Sequence, residues 1–444
     1  MLRADQHGAQ PLGESEIAEL LAPFCGARSI ALAVSGGADS LGMMAAVARW
    51  RPASSSVLVL TVDHRLQRGS GKVAAGVATA ARGLGLAVRV LMRKGPVPTG
   101  DIEAAARMAR YTLMREACRA AGVGHLLLAH QRDDAAEGLL MRLNRGAGVF
   151  GLAGMRPWLD LGDIVIARPF LSVSRERLRA TAIAAGLAPV DDPMNDDAAF
   201  ERVRMRRALP LLAEIGIDAD ALANAAARLA DAADAIDHAA SNLLATAVAA
   251  DACAVAWLDV ARFGAEPHAT RLRALARLVM AVGGEQYAPR HDRLAALHDA
   301  VLGDAGRLKR TLAGAVAERR GAQVAVYRET GRGGLPAVRL SPGATGIWDH
   351  RFAYAVAPDA PRGLSLAPSG AYFVGHSPAV AGKMEAIPAG ARAALPLVMQ
   401  RGGAIAPSLI PEQFPSDSLG YVSLQSLLRK RLDGPPLFPG AVPG

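Results

Sequence analysis

Short apolar runs alternate with longer amphipathic ones over the first 190 residues of the chain. Ser29–Val34, Val57–Val62, Ala87–Met92 and His125–Ala129 have strand length and carry few polar positions. Between them Ser40–Trp50, Gly71–Leu84, Ile102–Ala121 and Asp133–Leu143 repeat their apolar positions at helical spacing, each bounded by Gly, Pro or polar caps. Apolar strands separated by helices call for a parallel sheet, because each parallel connection has to cross back over a sheet face and cover it. The pattern therefore predicts a doubly wound, mostly parallel α/β domain over residues 1–210.

From about Leu211 the texture becomes Ala-rich, with Leu212, Leu222, Leu229 and Leu243 on repeating faces and almost no strand pattern until Gln323–Arg328. This predicts a helical middle domain over 211–330, helical from Leu211 to roughly Val316. After Gly331 Pro and Gly become frequent around short β-like pieces, Phe352–Val356 and Ala371–Val374, so a small α+β domain is expected over 331–444, with its last eleven residues frayed. Three units suit 444 residues at a prior of roughly 150 per domain. No repeat of 20–50 residues is present.

Charge adds a partner to this picture. Lys and Arg number 50 against 41 Asp and Glu, a formal net charge of +9 that attracts polyanions, nucleic acid first among them. Only five of the 50 are Lys in a chain crowded with Ala and Gly, a bias that codon usage also produces, so charge alone leaves nucleic-acid binding open. Cys25, Cys118 and Cys253 stand far apart with no metal-ligand spacing, which fits a reduced, cytoplasmic setting. Charges interrupt every apolar stretch before the roughly 18–20 residues a span requires, and MLRADQHGAQ has no apolar signal core, so no membrane association is expected.

The chemistry centres on Ser35-Gly36-Gly37-Ala38-Asp39-Ser40, small residues between a strand and a helix. Such a loop lets backbone N–H groups approach phosphate oxygens, and the helix N-terminus adds partial positive charge. Ser35 and Ser40 offer hydroxyls; Asp39 cannot bind phosphate directly and is expected to hold Mg²⁺ against it. The G-x-x-x-x-G-K-[ST] pattern is absent and no Lys lies nearby, which argues against an ordinary kinase or motor-type NTPase. The loop alone supports pyrophosphate-releasing ATP chemistry with the substrate open.

A second polar cluster, His130 to Glu137, follows an apolar strand and should meet the loop at one sheet edge. Asp133 and Glu137 are i and i+4 and share a helix face, with Asp134 adjacent; by themselves the two aspartates also read as a plain helix N-cap pair. His130 and His64 equally fit satisfied structural histidines. Arg202, Arg204, Arg206 and Arg207 put four guanidinium groups within six residues, spread over more than one helix face, and read either as phosphate contacts or as a solvated surface.

The loop resembles that of the N-type ATP pyrophosphatases, the PP-loop superfamily, which cleave ATP between the α- and β-phosphates. Further segments narrow the resemblance: Asp63-His64-Arg65-Leu66, Glu103 to Arg107 with Arg110 and Tyr111, Ala129 to Glu137, and Arg142-Leu143-Asn144-Arg145-Gly146 with Gly148, Gly151, Leu152 and Met155. Arg168-Pro169-Phe170-Leu171 with Arg175, Asp192-Pro193-Met194-Asn195 and Arg202-Val203-Arg204-Met205-Arg206 follow in order. Together, over about residues 25–212, they are similar to the tRNA(Ile)-lysidine synthetases; beyond, the likeness thins to the helical middle and Ile347 to Phe352. Gly138, Met194 and Val203 depart from the Thr, Ser and Asn usual there.

The resemblance implies an adenine nucleotide alpha-hydrolase-like, Rossmann-like fold and a C–N bond-forming ligase. Lysine would be joined to C2 of the wobble cytidine of the CAU-anticodon isoleucine tRNA through an adenylated base, changing codon recognition from AUG to AUA. It implies ATP on Ser35, Gly36, Gly37, Ala38, Asp39 and Ser40, with Mg²⁺ on Asp39. Catalysis would fall to Asp39, His130, Asp134, Glu137, Arg202 and Arg206, and contacts to free L-lysine or tRNA to Asp133, Asp134, Glu137, Arg107, Arg204 and Arg207. The later domains would contact tRNA, and a homodimer is an open arrangement. A tRNA thiolase, an ammonia-dependent adenylating ligase and a non-catalytic RNA-binding protein are the alternatives.

Overall fold

The computed structural model describes residues 10–52, 55–63, 65, 69–93, 102–190, 199–285, 287–303, 308–331, 333–370, 386–400, 403–406 and 421–434, with backbone alone at 102–107 and 403–406. His64, Asp192 to Asn195, the Ala371–Val374 strand, the chain beyond 434 and the Arg107 side chain lie outside the described residues. The chain forms two compact units, one running to Asp231 and one beginning at Ala232.

In the first unit, helix α1 (Glu14–Leu21) precedes strand β1 (Ser29–Ala33), helix α2 (Ala38–Trp50), β2 (Ser56–Asp63), α3 (Ser70–Gly83), β3 (Ala87–Met92) and α4 (Ile102–Ala121). Next come β4 (His125–Leu127), α5 (Arg132–Asn144), α6 (Val149–Leu152), β5 (Trp158–Asp160), β6 (Val165–Ala167), α7 (Arg175–Ala184) and α8 (Glu201–Glu214). The six strands lie in the order β3-β2-β1-β4-β6-β5, parallel except where β5 meets β6. Apolar runs became central strands because only a position covered on both faces hides Ile30, Leu32, Val59, Leu60, Leu126 and Leu127, all nearly inaccessible.

The chain builds outward from β1 to β3 and then returns to place β4 on the other side of β1. The connections leaving β1 and β4 therefore diverge, opening a crevice at the C-terminal ends of these two strands where open α/β sheets bind ligands. Both chemistry-bearing segments foreseen in the sequence begin there.

Helix α2 buries Leu41, Met43, Met44 and Val47 and crosses α7 so closely that a Cβ on Gly42 would stand 2.2 Å from the Leu178 carbonyl oxygen. Because the obstacle is backbone, Gly42→Ala should force the helices apart and cost about 1–3 kcal/mol, as overpacking does. Urea unfolding of the variant checks this; an unchanged midpoint would show that the two helices separate freely. The crossing matters for function because it holds the start of α7, Arg175, beside the loop that precedes α2.

Helix α9 (Ala219–Ala247) continues from the first unit into the second, where β7 (Val248–Ala250), β8 (Ala256–Asp259), β9 (Lys309–Leu312), β10 (Ala315–Arg320) and β11 (Gln323–Arg328) make an antiparallel sheet in the order β7-β8-β11-β10-β9. This corrects the expectation of helix from Leu211 to Val316. Val248–Ala250 and Ala256–Asp259 are only three and four residues long, and they are strands because they pair with each other and β8 pairs with β11. Helices His268–Gly283 and His291–Leu302 share a core with this sheet. A four-stranded and a three-stranded antiparallel sheet follow, the latter containing the foreseen Phe352–Val356 strand.

The Ile347 to Phe352 stretch has a structural part in this unit. Asp349 and His350 turn the hairpin with left-handed φ of 46° and 57°. Asp349 accepts from Arg351 Nε at 2.7 Å and Arg328 Nε at 3.2 Å, and Arg351 Nη2 donates to the Ala394 carbonyl at 2.6 Å. Burial pushes the Arg351 guanidinium down to about 10, with Asp349 opposing it.

Candidate active site

After β1 the chain runs through Val34, whose N–H donates to the Leu60 carbonyl at 2.9 Å, and then turns sharply. Gly36 has φ of +94°, and a Cβ there would stand 2.7 Å from Val73 Cγ1, so no other residue fits without strain. Gly37 caps α2 with extended backbone. Ser40 Oγ donates to the Gly37 carbonyl at 2.9 Å and accepts from the Ser35 N–H at 3.2 Å, with Ser35 Oγ 3.3 Å away. The two hydroxyls thus hold the loop's own shape.

Asp39, in the first turn of α2, has a side chain about 30% exposed, and its Oδ1 is buried with no hydrogen-bond partner among the described residues. Burial, followed by the negative charge of Asp134, pushes its carboxyl up to about 6. A carboxylate held this way gains most from a cation. Among the described residues no cluster of three His, Cys, Asp or Glu could cage a metal alone. The fit is therefore to a hard cation such as Mg²⁺, bound by one carboxylate together with substrate phosphates.

Beyond β4, Gln131 caps α5: its Oε1 accepts from Asp133 N–H at 2.5 Å and Asp134 N–H at 3.3 Å, while Asp134 Oδ2 accepts from Gln131 N–H at 3.1 Å. The cap aims Asp134 Oδ1 at Arg202 Nη2 (2.6 Å) and Arg175 Nη2 (3.3 Å). Glu137, wholly buried, accepts from Arg175 Nη2 at 2.9 Å, Arg206 Nε at 2.9 Å and Arg202 Nε at 2.7 Å. Burial alone would raise the Glu137 pKa, but Arg175, Arg202 and Arg206 outweigh it and hold the carboxyl below its ordinary value. Arg175 Nε also lies 4.0 Å from Asp39 Oδ2, so one guanidinium links the phosphate loop to the acidic cluster.

The pairing differs from the one the helical spacing predicts. Asp134 and Glu137, three residues apart, share Arg175 and Arg202, whereas Asp133 Oδ2 accepts the Arg175 N–H at 3.0 Å and places negative charge at the N-terminus of α7. His130 takes its place through Arg168, whose Nε donates to His130 Nδ1 at 3.1 Å and whose Nη1 donates to the Arg156 carbonyl at 2.7 Å. With Nδ1 accepting from a permanent cation, the ring's proton is placed on Nε2.

The arginines of α8 divide by face: Arg202 and Arg206, four apart, meet Glu137, while Arg204 and Arg207 are exposed and Arg204 Nη1 donates to the Ala199 carbonyl at 2.8 Å. Arg175 and Arg168 enter the sequence reading only as parts of a resemblance; Arg175 proves central to the cluster and Arg168 holds His130. Nothing in their local sequence marks them, since each owes its place to the strand or helix that delivers it across the sheet edge. Among the described residues four carboxylates, Asp39, Asp133, Asp134 and Glu137, meet three guanidiniums, Arg175, Arg202 and Arg206, in this network.

Comparison with known proteins agrees with this arrangement. Residues 10–212 match a family model described as a PP-loop domain. A tRNA(Ile)-lysidine synthase of a Bradyrhizobium species is 41% identical over 327 residues, covering 69% of this chain and 91% of its own. One from Methylobacterium nodulans is 39% identical over 345 residues, covering 73% and 98%. A protein of the same name from another Methylobacterium species is 41% identical over 310 residues, covering 66% and 86%. With the phosphate loop and the acid–arginine cluster side by side at the β1/β4 crevice, and likeness of this extent, the chain belongs to the tRNA(Ile)-lysidine synthase family.

Proposed function

We propose that the chain uses ATP to join free L-lysine to C2 of the wobble cytidine in the CAU-anticodon isoleucine tRNA, releasing pyrophosphate and then AMP. The observation that carries this reading is the link through Arg175 between Asp39, on the phosphate loop, and the Asp134–Glu137 pair. Adenylation and attack by a second substrate need neighbouring sites, and here one guanidinium touches both.

In the first step the cytidine O2 attacks the α-phosphate of ATP, and the bond to the departing pyrophosphate breaks. Loop amides from Ser35 to Ser40 would cradle the phosphates, with the Ser35 and Ser40 hydroxyls turning from each other toward oxygens. Mg²⁺ held by Asp39 would neutralise charge on the pyrophosphate. His130, whose Nδ1 accepts from Arg168, suits donation from its other nitrogen to the nucleotide or the base more than proton removal.

In the second step a neutral lysine amine attacks C2, the C2–O bond breaks, and AMP leaves with the oxygen. The ε-amine, with an ordinary pKa of about 10.4, must shed a proton first. Asp134, with Asp133 beside it, would receive lysine's ammonium. Glu137, shut in by three guanidiniums, sets their positions; Asp134 is the better placed acceptor for the proton. Arg204 and Arg207, on the outer face of α8, together with Arg107 and the middle and C-terminal domains (211–330 and 331–444), would hold the tRNA, a reading supported by the net charge of +9.

Cys25, Cys118 and Cys253 stand far apart in the sequence with no paired spacing, which favours lysine over sulfur as the second substrate. Burial pushes the Cys118 thiol up to about 11 and the Cys253 thiol up to about 12, while Cys25 is exposed. Among the described residues no helix is long and apolar enough to cross a membrane.

Purified protein with ATP, Mg²⁺, radiolabelled lysine and this tRNA should transfer label to RNA and release AMP in equal amount. AMP release without label in the RNA would point to the adenylating alternatives, and neither product from folded protein would leave only RNA binding.

A further inference from the structure

Arg142, near the end of α5, folds its guanidinium back along its own helix over Gly138. A Cβ on Gly138 would stand 2.8 Å from Nη1, 3.7 Å from Cζ and 3.9 Å from Nη2. A Cβ on Gly154, whose φ is +69°, would stand 3.5 Å from the same Nη1. Two missing side chains thus create the berth for this charge. Gly138 departs from the Thr expected there, and the structure supplies a physical reason for it: Arg142 occupies the space.

The berth satisfies size but not charge. Nη1 is buried and meets no acceptor among the described residues. The neighbouring acids are committed elsewhere, Glu201 to Arg145 and Asp134 and Glu137 to Arg202. Burial, then Arg202 and Arg145, push the Arg142 guanidinium below its ordinary pKa. A partly buried cation with an unmet N–H, set among other cations, is costly, and an oxyanion relieves both costs at once.

We infer that Arg142, together with Arg202 and Arg145, forms a phosphate subsite beside the acid–arginine cluster, filled either by a backbone phosphate of the RNA or by the phosphate chain of ATP. The inference rests on the proposed ATP- and tRNA-dependent reaction. Arg suits this place because its planar fork can give one edge to a phosphate while its stem stays packed. Gly138 then determines binding without touching the ligand, by leaving the guanidinium its room.

Two variants test this, Arg142→Met and Gly138→Ala. The second fills the berth with a methyl group 2.8 Å from the far end of a flexible side chain, so the fold should persist and Arg142 should be displaced. A Gly to Ala change inside a helix also favours the helix. Gly138→Ala is therefore expected to melt at a higher temperature than wild type and yet to bind its phosphate ligand more weakly, opposite signs that a purely structural glycine would not give.

If the phosphate comes from RNA, both variants lose roughly tenfold in tRNA affinity and the slope of log affinity against log salt falls by about one, with the KM for ATP unchanged. If it comes from ATP, the KM for ATP rises by a similar factor and tRNA binding is unchanged. Arg142→Lys should recover part of either loss. Tm up in Gly138→Ala, with tRNA affinity, salt slope and ATP KM all within twofold of wild type in both variants, overturns the subsite. A wild-type chain that neither binds tRNA nor transfers lysine sinks the functional reading instead.

Discussion

Asp39→Asn is expected to stabilise the ligand-free protein while abolishing lysine transfer. The folded protein pushes the Asp39 carboxyl up to about 6 from an ordinary 3.8, so it favours the protonated form. Ionised Asp39 therefore destabilises the fold: fully above pH 6, progressively less as pH falls toward 3.8, and not at all below that value. Two pKa units correspond to up to about 3 kcal/mol, which the neutral Asn would recover at pH 7. Activity should drop by at least about a hundredfold, since a neutral amide would hold the proposed Mg²⁺ too weakly to offset charge on the pyrophosphate. Urea unfolding at pH 7 and pH 3.5, beside label incorporation, checks both halves. A variant less stable than wild type at pH 7, or one that retains activity, would contradict the role of Asp39 as a carboxylate kept under strain for a cation.

The opposite sign is expected at Glu137. Its carboxylate is wholly buried and is bound by Arg175, Arg202 and Arg206, so Glu137→Gln removes the charge that holds three guanidiniums together. Breaking a buried pair from one side costs about 3–5 kcal/mol, and a loss of this order is predicted at pH 7. Because the pKa of Glu137 is held below its ordinary value, its contribution is full above that ordinary value and is lost as pH falls through the folded one. The variant should therefore be not only less stable but also less sensitive to acid than wild type. Lysine transfer should fall with it, since Arg202 and Arg206 lose their anchor. A cost below about 1 kcal/mol at pH 7 would mean that the arginines find other partners and that Glu137 does not organise the site.

These two carboxylates were both named from the sequence, and for the same reason: each lies in a short polar segment after an apolar run. What separates them is their surroundings. Asp39 meets one guanidinium at 4.0 Å and stays short of positive charge, whereas Glu137 meets three. Arg202 and Arg206 make that difference, binding Glu137 from α8, 65 and 69 residues further along the chain. Arg175, which both acids share, is delivered from α7 by the close crossing at Gly42. No local pattern reports such a meeting, because it depends on which helix packs on which.

The parallel sheet, its strands β1 to β4 and the phosphate loop were legible in the chain itself, whereas the three-residue β5 and β6 were not. Periodicity of 2 and 3.6, small residues at the tight turn and the apolar strands at β1, β2 and β4 are local properties, and burial on both faces amplifies them. In the second unit the same reading failed at Val248–Ala250 and Ala256–Asp259, pieces of three and four residues too short to show alternation, where pairing with partner strands settles the matter over alanine's local helix preference. Likewise the sequence by itself determined which residue types the site contains, acids and arginines beside a glycine-rich loop. Only the tertiary structure decided which acid meets which arginine, since ion pairing inside a fold follows distance in space, and burial then sets whether each charge is held or left wanting.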